Sequence, residues 1–509
     1  MNKLSLFFQK SLGLSWSKAF LFFLLTSLPL YSAQAEGYFA YSPAAQSAYL
    51  DVLALRFDQA QQKIDQLHQR EPDNLVVYHI ENYIDLFRIL INEEEEEFER
   101  LVIRKDRRLA AVKKGDSDSP YYAYIQAEIK LQWALARLKF DQYFTAFGEV
   151  RSAYKLLTKN QKRFPDFLPN KKSLGILHAM IGTVPDNYRW GLKLLGGMEG
   201  SIEQGRKGVE EVLHYAQREA FLFEEETAVL YAMLLLHLKN QGEEAWLMIQ
   251  SAELNPLESP LACFVLANVA MHTGRNDEAI RLLEQRPTAK DQHPFYYLDY
   301  MLGLAKLYRL DEDARPHFEH YLQQFNGRNY IKEAHQKIAW YELLQGNTLA
   351  YEEWIKACLK EGCSSVGGDK QALNEARNGR SPHPELLRAR LLFDGGYYQR
   401  AYDLLSKLSV DQFRSKRLQI EYYYRLGRVC HYLPQHKLAL EYYTKTIQLG
   451  RYHKAYFACN AALKMGLLLE QKGRIKQAQQ YYESCLAMRP EEYASGLHQQ
   501  AKAGLNRLR

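Results

Sequence analysis

The chain has 509 residues, of which 47% are hydrophobic and 25% charged, with 36 tyrosines and a formal net charge of +6. That balance excludes an intrinsically disordered chain, and the length exceeds one ordinary core. Residues 1–35 hold three lysines and no acid, so the remainder carries only +3, which is no basis for nucleic-acid binding.

Residues 1–35 form a separate object. Lys3, Lys10 and Lys18 precede an apolar run from Ala19 to Leu30, and Ala33-Gln34-Ala35 closes it. A positive start, a short apolar centre and an A-x-A ending describe a secretory signal peptide, with cleavage expected after Ala35. No later segment has 18 uninterrupted apolar residues, so no transmembrane segment is expected after cleavage. The expected location is extracytoplasmic, most simply a bacterial periplasm, and the exported chain is expected to be soluble.

Residues 36–170 read as an irregular helical region. Ala60 and Ile64 lie four apart, on one face of a helix, and Pro72 follows. Helical patterns cover residues 75–91 and 93–113. The run Glu93 to Glu97 points all round its helix and cannot converge on a cation, and Arg104 to Arg108 reads as its electrostatic complement. Two longer patterns, residues 121–139 and 142–163, end at Phe164-Pro165.

Residues 171–215 form a glycine-rich corner. The stretch 175–208 holds eight of the 29 glycines. No G-x-x-x-x-G-K-[ST] or G-x-G-x-x-G spacing occurs there, so a phosphate loop is excluded. Two readings remain: a tight helical corner, or a pocket for a small molecule, glycan or lipid lined by His178, Asp186, Tyr188, Arg189 and Trp190.

Regular helical hairpins occupy residues 216–363. Ala279 with Leu283, Ala314 with Phe318 and Ala350 with Trp354 repeat the alanine-plus-four arrangement at separations of 35 and 36 residues. An alanine lets a partner helix approach, and the bulky side chain one turn on fills the adjacent gap. Residues 364–383, rich in glycine and polar side chains, read as a linker or long loop. A second block spans 384–509, ending in a more polar capping helix after Glu491.

The clearest unit lies between Leu426 and Pro490. Each half holds a small pair (Leu426-Gly427, Met465-Gly466), an alanine twelve residues on (Ala439, Ala478), and a tyrosine four further (Tyr443, Tyr482), with Gly473 and Pro490 as punctuation. This closely resembles the tetratricopeptide repeat, a helix-turn-helix unit about 34 residues long. The resemblance implies an all-α solenoid of stacked hairpins whose concave wall displays the first helix of each repeat. It also implies a non-enzymatic scaffold gripping a protein or peptide partner. Tyr422, Tyr423, Arg425, Arg428 and Tyr456 are the candidates for that contact. Gly427, Gly466, Ala439, Ala478, Tyr443 and Tyr482 are expected in the packing.

No catalytic constellation or cofactor motif stands out. H-E-x-x-H and G-x-S-x-G are absent. His317 and His320 share a helix face but lack a third ligand, so no metal site is expected. Of the six cysteines, Cys263, Cys430, Cys459 and Cys485 sit within helical patterns as buried apolar residues, whereas Cys358 and Cys363 are spaced for a short local bridge.

Overall fold

A computed structural model describes residues 37–184, 197–238 and 241–508. The signal-peptide reading of residues 1–35 therefore lies outside the described residues. Among those described, the chain is all-α, with 24 α-helices and no strand, only the isolated bridges Gly37–Gly115 and Tyr38–Asn74. No described helix is long and apolar enough to cross a membrane.

The first eight helices are α1 (Pro43–Leu53), α2 (Phe57–Arg70), α3 (Val76–Asn92), α4 (Glu95–Val112), α5 (Pro120–Lys139), α6 (Tyr143–Arg163), α7 (Leu168–Thr183) and α8 (Ile202–Ala216). Serine-proline pairs start α1 and α5. In each the serine oxygen accepts a first-turn N–H, and the proline sits where no N–H partner is needed. The α7–α8 contact explains part of the glycine excess. A Cβ on Gly205 would lie 2.4 Å from the Ala179 nitrogen, and one on Gly182 would lie 2.3 Å from the Ile202 nitrogen. Only glycine allows that approach.

The array continues with hairpins α9 (Glu224–His237) and α10 (Gly242–Ser251), then α11 (Pro260–His272) and α12 (Asn276–Glu284). Next come α13 (Tyr297–Arg309) with α14 (Arg315–Gln324), and α15 (Ile331–Leu344) with α16 (Thr348–Ala357). After α17 (Gly367–Asn378) follow α18 (Pro384–Asp394) with α19 (Tyr398–Ser406), α20 (Lys416–Tyr432) with α21 (His436–Gly450), and α22 (Phe457–Gln471) with α23 (Ile475–Ala487). The last helix, α24 (Ala494–Arg507), covers the end. The members of each hairpin pack on one another, and neighbouring hairpins stack, as a solenoid requires.

The packing unit is a ring seated on a glycine. A Cβ on Gly427 would meet the Tyr443 ring at 2.6 Å, and one on Gly466 would meet Tyr482 at 2.6 Å. Tyr482 also meets the backbone of Gly504 on the cap, where a Cβ would stand 2.5 Å from the ring. Ala279, Ala314, Phe318, Ala439 and Ala478 are fully buried. Gly473 closes its helix at φ +71°, a conformation that other residues adopt only under strain.

Three expectations need correction. Residues 367–378 are helical, not a loop, because Asp369 and Glu375 tie α17 to α15. The buried Asp369 carboxylate accepts the Tyr330 and Glu333 N–H groups at 2.7 and 2.9 Å, while Glu375 accepts from Trp340 Nε1 and the Tyr351 hydroxyl. In α16 the buried positions are Tyr351 and Ile355, with Ala350 and Trp354 half-buried, a register one residue later than the alanine spacing suggests. Arg104, Lys105 and Arg108 pair with Asp85 and Glu81 on α3 and with Glu149 on α6, not with the acidic start of their own helix.

The N-terminal helices fold back onto the array at successive connectors. Ser259 donates to the Leu53 carbonyl, the His293 N–H to Leu55, Asn329 Nδ2 to Glu93, and Ser365 Oγ to Asp141. Replacing Gly466 by valine forces the Tyr482 ring out of its seat. Gly466→Val is expected to lower stability by about 1–3 kcal/mol, read as a drop in the urea midpoint of the C-terminal unfolding transition.

Candidate functional site

Perturbed ionisable groups and a run of cation–aromatic pairs single out two places. The first is a buried node where α1, α3, α5, α7 and α9 meet. Lys172 is fully buried between Glu226, to which it donates, and Glu128 at 3.6 Å. The hydroxyls of Tyr49 and Tyr83 donate to Glu226 at 2.9 and 2.6 Å, and Ser173 donates to Glu128 at 2.5 Å. The Lys172 ammonium also lies 4.9 Å from the centre of the Phe223 ring.

The physics of this node is that of a compensated ion cluster. Burial disfavours the Lys172 ammonium, but two carboxylates outweigh it and hold its pKa above the usual range. Glu226 is pushed up by burial and pulled further down by Lys172 and its donors, so it stays ionised. Glu128 is raised, chiefly by burial. Nearby, His79 is fully buried with Nδ1 2.6 Å from the Tyr41 hydroxyl, and desolvation lowers its pKa to about 3. The charged groups all face protein partners, whereas His79 Nε2 and the adjacent Tyr124 hydroxyl are buried without a hydrogen-bond partner among the described residues, and the node has the character of a structural lock.

The second place is the inner side of the C-terminal array. Contacts that skip a repeat exist only inside a curve. Here Arg390 on α18 lies 4.7 Å from the Trp340 ring centre on α15, and a Cβ on Gly396 would stand 2.3 Å from the Gly274 carbonyl. Lys337 approaches the same Trp340 ring at 4.2 Å. One hairpin further on, Arg428 of α20 stacks on Phe393 of α18 at 3.9 Å and lies 5.8 Å from Tyr424. Tyr456, at the start of α22, packs between Tyr424 and Tyr493. Cation–aromatic pairs thus link successive first helices in a ladder whose rings and Lys337 are buried, leaving Arg390, Arg428 and Tyr456 partly open.

The ladder's charges differ in one respect. Lys337 pairs with Glu333 at 2.9 Å, Arg390 with Asp394 at 3.5 Å, and Arg425 with Glu421. Arg428, half-buried over its rings, makes no ion pair among the described residues.

Residues 461–492 match the tetratricopeptide-repeat family model. The match contains Gly473, Ala478, Pro490 and the Gly466–Tyr482 pair, where the α22–α23 packing is close. Comparison with curated proteins gave no match. Among solved structures, "Crystal structure of APC/C hetero-tetramer Cut9-Hcn1" is similar at 12% identity, covering 91% of this chain and 99% of that one with a TM-score of 0.21. A score that low carries no argument.

Within the C-terminal array, the structure separates the candidates. Tyr422 is buried and its hydroxyl donates to the Leu408 carbonyl at 2.8 Å, so it is a packing residue and not a contact for a partner. Arg425 is buried against Glu421. Tyr423 is half-buried against Tyr442, and Arg428 and Tyr456 remain partly open. Ala389, Phe393, Arg425, Arg428 and Val429 line one crevice, too tight for a small ligand. His178 packs edge-on to Tyr154 and against the Gly200 backbone, whereas Asp186, Tyr188, Arg189 and Trp190 lie outside the described residues. His320 lies 3.3 Å from Asp299, and no group of metal ligands occurs among the described residues. Sequence reasoning missed Lys337, Trp340 and Arg390: Lys337 and Trp340 share α15, but Arg390 reaches them from α18, two helices further along the chain order than a neighbour.

His79 supplies a pH signature for the node. Its folded-state pKa is depressed, so between pH 6.5 and about 3 the unfolded chain binds a proton that the folded chain refuses, and stability falls with pH in that window. At pH 5 the loss relative to pH 7 is expected to be about 2 kcal/mol. Urea midpoints at the two pH values should converge in His79→Phe.

Proposed function

We propose that the chain is a non-enzymatic protein–protein interaction scaffold of the bacterial cell envelope. It holds a polypeptide along the inner wall of the C-terminal array. The observation that carries this reading is Arg428: a cation stacked on Phe393 and Tyr424, partly open, with no direct ion pair among the described residues, the nearby Asp394 being paired with Arg390. A guanidinium kept on aromatic faces retains its full capacity for a bidentate bond to an incoming carboxylate. Tyr456 beside it supplies apolar contact area that costs little conformational entropy on binding. The placement in the envelope is supported by the signal-peptide pattern of residues 1–35.

The wall suits a chain-like partner better than a small molecule. Its cation–aromatic pairs are spread over α15, α18 and α20, while the crevice beside Arg428 has no room for a compact ligand. A peptide laid across successive first helices meets the partly open groups Arg390, Arg428 and Tyr456, and each adds specificity.

Photo-cross-linking side chains placed at positions 423 and 456, with position 452 as an outside control, test the reading in intact cells. Tyr452 is 94% exposed and makes a fair control. Defined polypeptide adducts are expected from 423 and 456 but not from 452, and Arg428→Glu in the 456 variant should cut the yield about tenfold. Adducts from 452 alone, or a copurifying small molecule with no polypeptide, would overturn the scaffold.

A further inference from the structure

Among the thiols, one pair stands apart. Cys459 of α22 and Cys485 of α23 face each other with Sγ atoms 3.5 Å apart, 26 residues apart in sequence. Cys459 Sγ also lies 3.5 Å from the Cys485 carbonyl oxygen, so the two backbones are close as well as the two side chains. Ala462 and Ala478, both fully buried at this helix contact, allow that approach. The remaining cysteines lack such a partner. Cys358 directs its thiol to the Lys332 carbonyl at 3.2 Å and is not bridged to Cys363, and Cys263 directs its thiol to the Leu282 carbonyl at 3.4 Å.

We propose that Cys459 and Cys485 are a disulfide-forming site that staples the terminal hairpin of the array. Closing the bond needs only a shift of the two Sγ atoms toward each other, within a backbone spacing that already brings sulfur to carbonyl. The reaction is thiol–disulfide exchange with a disulfide donor. The Cys459 thiolate attacks one donor sulfur and releases one donor thiol. The Cys485 thiolate then attacks the mixed disulfide and releases the second. Two protons leave the cysteines, two thiols form on the donor, and the chain's two sulfurs are oxidised while the donor's are reduced. The Cys485 thiol hydrogen-bonds to Cys459 and lowers its pKa, which suits Cys459 to attack first.

Access explains when this happens. Both cysteines are at most 1% exposed, and Cys485 Sγ lies 3.9 Å from the Leu497 carbonyl on the cap helix α24. A donor therefore reaches the pair during folding or when α24 lifts, and the completed bond is sealed once α24 returns. Local opening at the end of an array takes little free energy compared with opening its middle.

The test uses the full chain without residues 1–35, purified reduced and then held in an oxidised–reduced glutathione mixture. Acid quenching, alkylation and peptide mass spectrometry follow. The expected result is a linked 459–485 peptide pair lacking two hydrogens, with Cys263, Cys358 and Cys430 alkylated. Amide exchange across residues 475–507 should slow on the order of a hundredfold relative to the reduced chain. Cys459→Ser should abolish both effects while keeping the helical circular dichroism. Full alkylation of both cysteines, or linkage of either to a different cysteine, overturns the proposal. Oxidation in the living cell rests on the export reading. Trapping thiols before lysis separates the two: a pair that links in glutathione but is alkylated in cells sinks export and leaves the site standing.

Discussion

The structure depends on one local fit: an aromatic ring lying where a side chain would otherwise be. Gly427 under Tyr443 and Gly466 under Tyr482 bring the two helices of a hairpin closer than any Cβ would permit. The ring then contributes buried apolar area to both helices at once. Ala439 and Ala478, one turn before each tyrosine, keep the same contact open along the axis. A single hairpin held this way still exposes its outer faces, so stacking is obligatory and the solenoid follows. Gly504 on the cap repeats the device against the far side of Tyr482, which gives the array an end.

The N-terminal helices follow a different logic. Their stability rests on compensated charge, with Lys172 holding Glu128 and Glu226 and, further along, Lys105 and Lys130 holding Glu149. Buried ions of this kind add little net stability but penalise every arrangement that separates them, which fixes one packing for helices that lack a regular repeat. The same helices touch the connectors before α11, α13 and α15, so the bracing falls on helix ends. The inner wall from α18 to α22 carries the Arg428–Phe393–Tyr424 stack beyond those braces.

Local fits were legible in the sequence, and distant ones were not. The spacing of Gly466, Ala478 and Tyr482 names a helical hairpin because all three interact within one unit. Residues 364–383 read as a loop because they are rich in glycine and polar side chains. What makes part of that stretch a helix is Asp369 accepting the N–H groups that start α15 and Glu375 reaching Trp340, neither of which periodicity can reveal. Ala350 and Trp354 misled by one position, since Tyr351 takes the buried place and spends its hydroxyl on Glu375. Likewise Tyr422 looked available on its helix until its hydroxyl found the carbonyl of Leu408. Arg390 of α18 reaches the Trp340 indole of α15, on which Lys337 of the same helix already lies, across the intervening α16 and α17, a relation that spacing along one helix cannot reveal.

The glycine–ring fit can be isolated from ordinary burial by a double-mutant cycle on Gly427→Ala and Tyr443→Leu, with stabilities taken from urea unfolding. Adding a methyl under the ring should be harmful, and adding it where leucine has vacated the space should not. We expect the double variant to be more stable than the sum of the single changes predicts by at least about 1 kcal/mol. Additive effects would mean that ring and glycine do not share a seat, and would contradict the account of how the hairpins close.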